Sequence, residues 1–183
     1  AEALDLERGF PRVGPECLKG IEINPYAAEL ARVSIWIGEI QWMRRNGFSA
    51  SRNPILRPLD AIECADALVE QHPVTGVWRE KTWPQADVIV GNPPFLGAGK
   101  FLRVLGDGYT QRLREIFRGR VPEGADLVTY WFAKAAAAPT QTCRIGLVAT
   151  NSIRSSASNI PIQAFAVEFD IFSAWADEPW VVD

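Results

Sequence analysis

The sequence has few side chains of the kinds that hold metal ions or build disulfide scaffolds. Its 183 residues include one histidine and three cysteines. Cys17, Cys64 and Cys143 lie far apart and form no Cys-x-x-Cys pair, which argues against a zinc site or a disulfide framework. We recognise no signal peptide, and no apolar run approaches the roughly 18 residues of a membrane span. These absences predict a reduced, soluble, cytoplasmic protein without a metal and without a membrane partner.

Positive charge is scarce overall but concentrated in one stretch. A formal net charge of −3 excludes a generally basic surface coat of the kind that binds nucleic acid. Between residues 97 and 121, however, six basic residues stand against two acidic ones, a local charge of +4. We interpret this stretch either as an ordinary solvated helix face or as a nucleic-acid contact. The candidates for the contact are Lys100, Arg103 and Arg112.

Strand and helix patterns alternate along the chain. Four short segments have the apolar character of strands: 18–23, 60–68, 86–92 and 144–150. Three segments have apolar residues at helical spacing: 25–45, 109–119 and 125–138. The alternation predicts a doubly wound, mainly parallel α/β sheet. In addition, 49–58 is predicted to be a loop, and a strand is expected near 165–172.

Two of these elements carry further expectations. Asn24 and Pro25 have the order of a helix N-cap followed by a first-turn proline. The helix that they begin is rich in tryptophan and isoleucine, so we expect it to be covered on more than one side. The run "ADVIVGN" (86–92) is almost continuously apolar. It is therefore predicted to be a strand buried on both faces.

Three residues fall where a doubly wound sheet binds its ligands, outside the carboxyl ends of the strands. They are Glu22, Asp66 and Asn92. A carboxylate at the end of the second strand of such a sheet commonly accepts hydrogen bonds from ribose hydroxyls, and Glu22 suits that role. Alternatively, Glu22 is a charge favoured by the N-terminus of the helix that starts three residues later. The spacing leaves both interpretations open.

The segment "VIVGNPPFLG" (88–97) ends a strand in an unusual way. Proline has no N–H to donate to a sheet and pushes the preceding residue into extended geometry. The Asn92 side-chain oxygen and the Pro93 carbonyl then point outward as acceptors, beside an aromatic plate at Phe95. Such a group suits a planar ring that bears an –NH2, because the acceptors take both amino hydrogens and Phe95 stacks on the ring. Localising the amino lone pair in this way prepares it for transfer chemistry. The alternative is a plain turn.

With these residues the sequence resembles the class I, S-adenosylmethionine-dependent amino-group DNA methyltransferases. Asn92-Pro93-Pro94-Phe95 matches the (Asn/Asp/Ser)-Pro-Pro-aromatic catalytic motif of that family. Four more segments resemble the large methyltransferases of restriction-modification and phage-defence systems: "GIEINPYAAELARVSIWIGEIQW", "GNPPFLGAGKFLRVLGDGY", "ADLVTYWFAKA" and "GLVATNSIR". The resemblance covers about Pro11 to Arg154.

The resemblance implies a Rossmann-like domain that methylates adenine N6 of a base flipped out of double-stranded DNA. It assigns Glu22 to the ribose of S-adenosylmethionine, Ile23 to packing on the cofactor's adenine, and Asp66 to the amino group of that adenine. Three residues are assigned to the flipped target base: Asn92, Pro93 and Phe95. The Asn and Phe variant of the motif favours adenine N6 over cytosine N4.

The sequence departs from the family at both ends. The Gly-rich cofactor loop normally lies on a strand before the ribose carboxylate, and "AEALDLERGFPRVGPE" cannot supply it. Downstream, "SSASNIPIQAFAVEFD" fits the family poorly, and no target-recognition domain follows. We therefore expect residues 1–183 to be a partial catalytic domain, best matched over 11–154. The first strand and the Gly-rich loop of its incomplete sheet would come from the remainder of the parent chain, so the isolated segment is expected to be inactive.

Other functions remain open on the sequence alone. RNA-base and protein-glutamine N-methyltransferases also use Asn-Pro-Pro-aromatic turns, because their substrates also present a planar –NH2. A catalytically dead DNA-binding remnant is an alternative from a different class of protein. Cofactor binding distinguishes such a remnant from an active enzyme.

Overall fold

The computed structural model describes residues 14–48, 62–137 and 143–176. They belong to two compact units, with the boundary between Ala67 and Leu68. The first unit contains β1 (Gly20–Glu22), α1 (Pro25–Arg45) and β2 (Ile62–Cys64). The second unit contains β3 (Val69–Gln71), β4 (Trp78–Glu80), β5 (Val88–Gly91), α2 (Phe101–Leu105), α3 (Asp107–Ile116), α4 (Val128–Ala136), β6 (Arg144–Leu147) and α5 (Ser156–Glu168). No helix in this part of the chain is long and apolar enough to cross a bilayer.

In the first unit, β1 and α1 form as their sequence predicts. β1 pairs in parallel with β2, and Glu22 lies opposite Cys64. The Asn24 side chain accepts hydrogen bonds from the backbone N–H groups of Tyr26 (2.9 Å) and Ala27 (3.3 Å), which would otherwise have no partner within the helix. The predicted strand, N-cap and helix are therefore confirmed. The loop predicted at 49–58 lies outside the described residues.

The predicted cover of α1 on more than one side is wrong. Ala28 is buried and packs on Ile62 of β2, so one face of the helix is covered. Four large apolar side chains of α1 are nonetheless between 47% and 49% exposed: Leu30, Val33, Ile37 and Trp42. Burial of a helix face requires a facing element, and the composition of the helix does not determine whether one is present.

The core of the second unit lies around Tyr130 of α4. This side chain is completely buried, and its ring centroid lies 6.2 Å from that of Phe101 and 5.1 Å from that of Phe117. Leu68 and Leu113 are completely buried in the same cluster. Full burial of a side chain of this size stabilises a protein by about 1.5–3 kcal/mol. The cluster therefore fixes α2, α3 and α4, and Phe101 ties the chain that follows β5 to it.

The described strands form three two-stranded sheets. β1–β2 and β5–β6 are parallel, whereas β3–β4 is antiparallel. The mixed α/β character and the parallel pairing are thus as predicted, but a single doubly wound sheet is not present among these strands. The burial predicted for both faces of β5 is wrong, since Val88 is 59% and Val90 80% exposed. Both side chains lie on the same face of the strand, and this face contacts solvent.

Two further elements differ from the predictions. The hairpin β3–β4 was not predicted, because each of its strands is only three residues long. The strand expected near 165–172 is wrong, since α5 continues to Glu168. Phe165 of α5 packs edge-on against Phe132 of α4, with 5.6 Å between the ring centroids. This contact with α4 accounts for a helix that its sequence, with Pro161 in the interior, predicts poorly.

Candidate active site

Residues 92–95, which we call the turn, follow β5 without an intervening residue and have no regular secondary structure. The pairing of β5 with β6 extends to the last residue before it, since the Val148 N–H donates to the Gly91 carbonyl at 3.0 Å. The ladder ends there because the next two residues after Asn92 are prolines, which have no N–H to donate. Pro93 is buried, while Asn92 is exposed. The turn is thus anchored by one proline and presents the asparagine to solvent.

Asn92 and Phe95 are both available to a ligand. The Asn92 carboxamide forms no hydrogen bond with the residues that the structure describes. Phe95 is 52% exposed, and within the same part of the chain its ring stacks on no other aromatic ring. The sequence predicts an amide acceptor beside an aromatic ring, and in the structure both side chains are exposed just after β5.

The chain after Phe95 is held at the start of α4 by two hydrogen bonds. The Leu127 N–H donates to the Leu96 carbonyl at 2.8 Å. The Ala98 N–H donates to Oδ1 of Asp126 at 3.2 Å. Gly97 lies between these two bonds. Together they attach residues 96–98 to the residues just before α4.

The basic stretch is divided by the structure into paired and unpaired side chains. Lys100 ends a short 3₁₀ helix (Ala98–Lys100) and Arg103 lies on α2; both are exposed. Neither forms an ion pair with the described residues. Arg112 is also exposed, but its guanidinium lies 4.6 Å from the ring centroid of Trp78, a cation–π contact.

Two other arginines of this stretch are already paired with carboxylates. Arg114 lies 3.8 Å from the Glu123 carboxylate, and Arg120 pairs with Glu80. The +4 local charge of the sequence therefore overstates what a partner can reach. Lys100 and Arg103 remain exposed, just beyond the turn in sequence.

The three predicted cofactor residues lie together at the carboxyl end of the β1–β2 pair. Glu22 is the last residue of β1, and Ile23 follows it with 67% of its surface exposed. The Ala65 N–H donates to the Glu22 carbonyl at 3.0 Å, which extends the parallel pairing beyond β2 and brings Asp66 to the same end. The 44-residue gap between Glu22 and Asp66 is thus bridged by a crossover through α1.

The Glu22 carboxylate has a local partner as well. One oxygen, Oε1, accepts a hydrogen bond from the Asn24 N–H at 2.8 Å, beside the start of α1. This contact agrees with the helix-terminal role, and it also holds the carboxylate in one orientation. The second oxygen has no partner among the described residues. The same conformation of Glu22 is therefore compatible with a helix-terminal role and with a ribose-binding role.

Sequence reasoning missed a buried charge cluster between the hairpin and α4. Lys134 is only 5% exposed; its Nζ lies 3.3 Å from Glu80 and donates to the Lys81 carbonyl. It also lies 4.8 Å from the centroid of the Trp83 ring. Burial lowers the pKa of Lys134, and the charge of Glu80 opposes that shift. A cavity of about 300 Å³ adjoins the cluster.

The cluster is structural, because its charges are paired with one another. The signal for it in the sequence is a single lysine within the apolar segment "YWFAKAA" of α4, since a buried lysine needs a partner. The single histidine is structural too. His72 Nδ1 accepts hydrogen bonds from the N–H groups of Val74 (3.3 Å) and Thr75 (3.2 Å) in the hairpin turn. The described residues contain no group of three or more histidine, cysteine or carboxylate side chains that could hold a metal ion.

Comparison with known proteins shows the family of the chain. The family model described as "MmeI, DNA-methyltransferase domain" matches residues 7–180. The chain is also similar to DNA methyltransferase A of Bacillus subtilis (strain 168), with 30% identity over 144 residues, or 73% of the chain. It spans 15% of the length of that relative. No solved structure matches the chain.

Proposed function

This chain belongs to the family of MmeI DNA-methyltransferase domains, and on that premise we propose that it transfers a methyl group from S-adenosylmethionine to N6 of adenine in DNA. The observation that carries the proposal is the turn after β5, where the exposed carboxamide of Asn92 and the half-exposed ring of Phe95 are both without partners among the described residues. Such a turn is suited to a planar base that carries an amino group.

The residues of the turn act on the target base by holding its amino group. The Asn92 side-chain oxygen and the Pro93 carbonyl accept the two amino hydrogens, and the Phe95 ring stacks on the base. This geometry directs the nitrogen lone pair out of the ring plane, where it can attack a methyl group. The sulfur–methyl bond of the donor would break as the nitrogen–methyl bond forms, and the nitrogen would then lose one of its hydrogens as a proton. A base inside a duplex cannot reach such a turn, so the target adenine has to be flipped out of the stack.

The residues at the end of β1–β2 fit a nucleoside cofactor. The partner-free oxygen of the Glu22 carboxylate is available to ribose hydroxyls, and the exposed Ile23 offers an apolar surface for an adenine ring. Asp66 supplies a carboxylate for the amino group of that ring. When bound, S-adenosylmethionine supplies an electrophilic methyl group on a sulfonium. The chain's own contribution is to bind and orient this group.

The positive side chains beyond the turn are proposed to contact DNA phosphates. Lys100 and Arg103 are exposed and near the catalytic turn in sequence, and Arg112 contributes through a guanidinium that Trp78 already orients. Phosphate contacts of this kind position a protein on DNA without specifying sequence. Sequence preference would come from a target-recognition domain elsewhere in the parent chain.

We also propose that the chain works as part of a longer enzyme, in restriction-modification or phage defence. No described strand pairs with the second edge of β1 or of β5, and Val88 and Val90 of β5 are exposed. Additional segments of the parent chain, including the strand that carries the Gly-rich cofactor loop, would complete an incomplete doubly wound sheet. The isolated segment would then be inactive.

The test is the replacement Asn92→Ala in the full-length enzyme, assayed in single turnover on amplified, unmethylated genomic DNA. We expect loss of most methylation with nearly unchanged DNA binding, because the variant removes the side-chain acceptor of the turn. Gln163→Ala, which removes an exposed carboxamide on α5, is the matched control and should behave as wild type.

Mass spectrometry of the product identifies the substrate. N6-methyladenine supports the proposal. N4-methylcytosine, or methylation only of RNA or of protein glutamine, would replace the adenine assignment with one of the alternatives. A rate for Asn92→Ala within a few-fold of wild type would refute the catalytic role of the turn.

A further inference from the structure

We infer that Asp126 and Ser158 are positioning residues that hold the catalytic turn in its active geometry. The inference rests on the function proposed above and extends it to two side chains that contact neither base nor cofactor. Asp126 stands just before α4 and Ser158 lies on α5. The two form a chain of hydrogen bonds that leads from α5, through the start of α4, to the segment directly after Phe95.

Asp126 uses its side chain on the turn segment and not on its own helix. A carboxylate at the start of a helix usually accepts N–H groups of that helix, but no side chain caps the start of α4. Instead, Asp126 Oδ1 accepts the Ala98 N–H at 3.2 Å, across 28 residues of sequence. The acceptor for the Thr129 N–H of the helix is the backbone carbonyl of Asp126, at 3.0 Å.

Two hydrogen bonds restrict the backbone beside Phe95. On one side of Gly97 is the bond from the Ala98 N–H to Asp126 Oδ1, and a Cβ placed on Gly97 would lie 3.5 Å from that oxygen, so the carboxylate lies beside Gly97. On the other side of Gly97, the Leu127 N–H donates to the Leu96 carbonyl at 2.8 Å. The three residues after Phe95 are thus bonded at both ends, which fixes the direction in which the chain leaves the aromatic residue.

Ser158 holds the backbone of Asp126. Its side chain is completely buried, and its Oγ accepts the Asp126 N–H at 3.0 Å across 32 residues. An N–H that is left without an acceptor in a partly buried position is unfavourable, so this bond favours one conformation of the residue. Ser158 therefore holds the backbone of Asp126, while the Asp126 carboxylate accepts the Ala98 N–H.

This arrangement predicts an effect on rate that is separate from an effect on folding. The core around Tyr130 packs α2, α3 and α4 through aromatic contacts in which Asp126 does not take part. Loss of the Asp126 acceptor should therefore leave the fold intact and let the turn segment move. A misplacement of about 1 Å far from the reacting atoms can cost about 100-fold in rate.

The experiment compares Asp126→Ala, Asp126→Asn and Ser158→Ala in the full-length enzyme. Asn keeps an oxygen at the Oδ1 position, so it should restore methylation to within about threefold of wild type. Asp126→Ala should lose about 100-fold in kcat, with KM for S-adenosylmethionine and Kd for DNA unchanged.

Hydrogen exchange at the Ala98 amide should accelerate in Asp126→Ala and not in Asp126→Asn. Ser158→Ala should lower kcat in the same sense but less. Asp107→Ala, an exposed carboxylate at the start of α3, is the control.

Each outcome either supports the inference or overturns it. Equal kcat for Asp126→Ala and wild type would overturn it, as would an Asn variant that is as slow as the Ala variant. A rise in KM or Kd with unchanged kcat would show a binding role instead. If the wild-type enzyme transfers no methyl group, the proposed function fails. Unchanged hydrogen exchange at Ala98 in Asp126→Ala would then overturn the inference independently.

Discussion

Replacement of Phe95 by alanine should reduce methylation far more than it reduces stability. The ring is 52% exposed and stacks on no aromatic ring in the described part of the chain, so little of the fold depends on it. A base stacked on an aromatic side chain contributes about 1–3 kcal/mol. That energy is gained only when the target base occupies the turn.

The two effects can be separated by magnitude. Full burial of a phenylalanine stabilises a protein by about 1.5–3 kcal/mol, so a half-buried ring contributes about 1 kcal/mol to folding. Loss of stacking would lower the population of the flipped, bound base by about 5- to 150-fold. Phe95→Trp keeps a stacking surface, and its rate should remain within a few-fold of wild type.

The assay is single-turnover methylation by the full-length enzyme at saturating DNA, combined with thermal unfolding of each variant. Ile160→Ala is the matched control, because Ile160 of α5 is also 52% exposed. The control should lose a similar amount of stability and no methylation rate. Phe95→Ala should lose both, with the larger loss in rate.

Equal rates for Phe95→Ala and Phe95→Trp would refute this reasoning. So would a rate for Phe95→Ala that falls no further than the rate of the Ile160 control. In either case Phe95 would be a packing residue, and the aromatic position of the motif would have no role in holding the base here.

The remaining predictions concern DNA, the cofactor and the segment itself. Neutralising Lys100 and Arg103 should weaken DNA binding uniformly across sequences and lower the salt slope by about 2, since each phosphate contact contributes about 0.9. Adding Arg112 should change the slope less, because Trp78 already holds its guanidinium; an unchanged slope would indicate a solvated helix face. Glu22→Ala should weaken S-adenosylmethionine binding in calorimetry of the full-length enzyme without changing DNA affinity, and equal affinity in variant and wild type would contradict the ribose role. The purified segment 1–183 should bind the cofactor weakly or not at all and should self-associate through its strand edges; micromolar binding by a monomer would contradict this.

Elements whose signals are local in sequence were predicted well. The start of α1 depends on Asn24 and Pro25, which satisfy and pre-organise the first turn without help from distant residues. The end of β5 depends on consecutive prolines, which terminate a ladder wherever they stand. In both places the physical cause lies within a few residues, so the sequence alone is sufficient.

Burial was predicted poorly, because it depends on what faces an element. "ADVIVGN" has the composition of a strand covered on both faces, yet Val90 is 80% exposed. The same holds for the apolar stripe of α1.

For α5, the type of element was predicted wrongly, because a strand was expected near 165–172. Its sequence contains an interior proline and a polar start, and packing of Phe165 on Phe132 stabilises a helix that local propensity does not favour.

In the candidate site, some features have causes that are local in sequence, and others depend on distant residues. The chemistry of the turn is local, since the amide, the proline carbonyl and the aromatic ring are within four consecutive residues, and so it can be derived from sequence. The placement of that turn is not local. It depends on an aspartate 28 residues beyond Ala98 and on a serine a further 32 residues on, and neither was identified from the sequence as a residue of the site. Hydrogen bonds of this kind become visible only once the helices that carry them are packed, because α4 and α5 have to meet before Ser158 can reach Asp126. The residues proposed to hold a substrate base are therefore easier to identify from sequence than the residues proposed to position them.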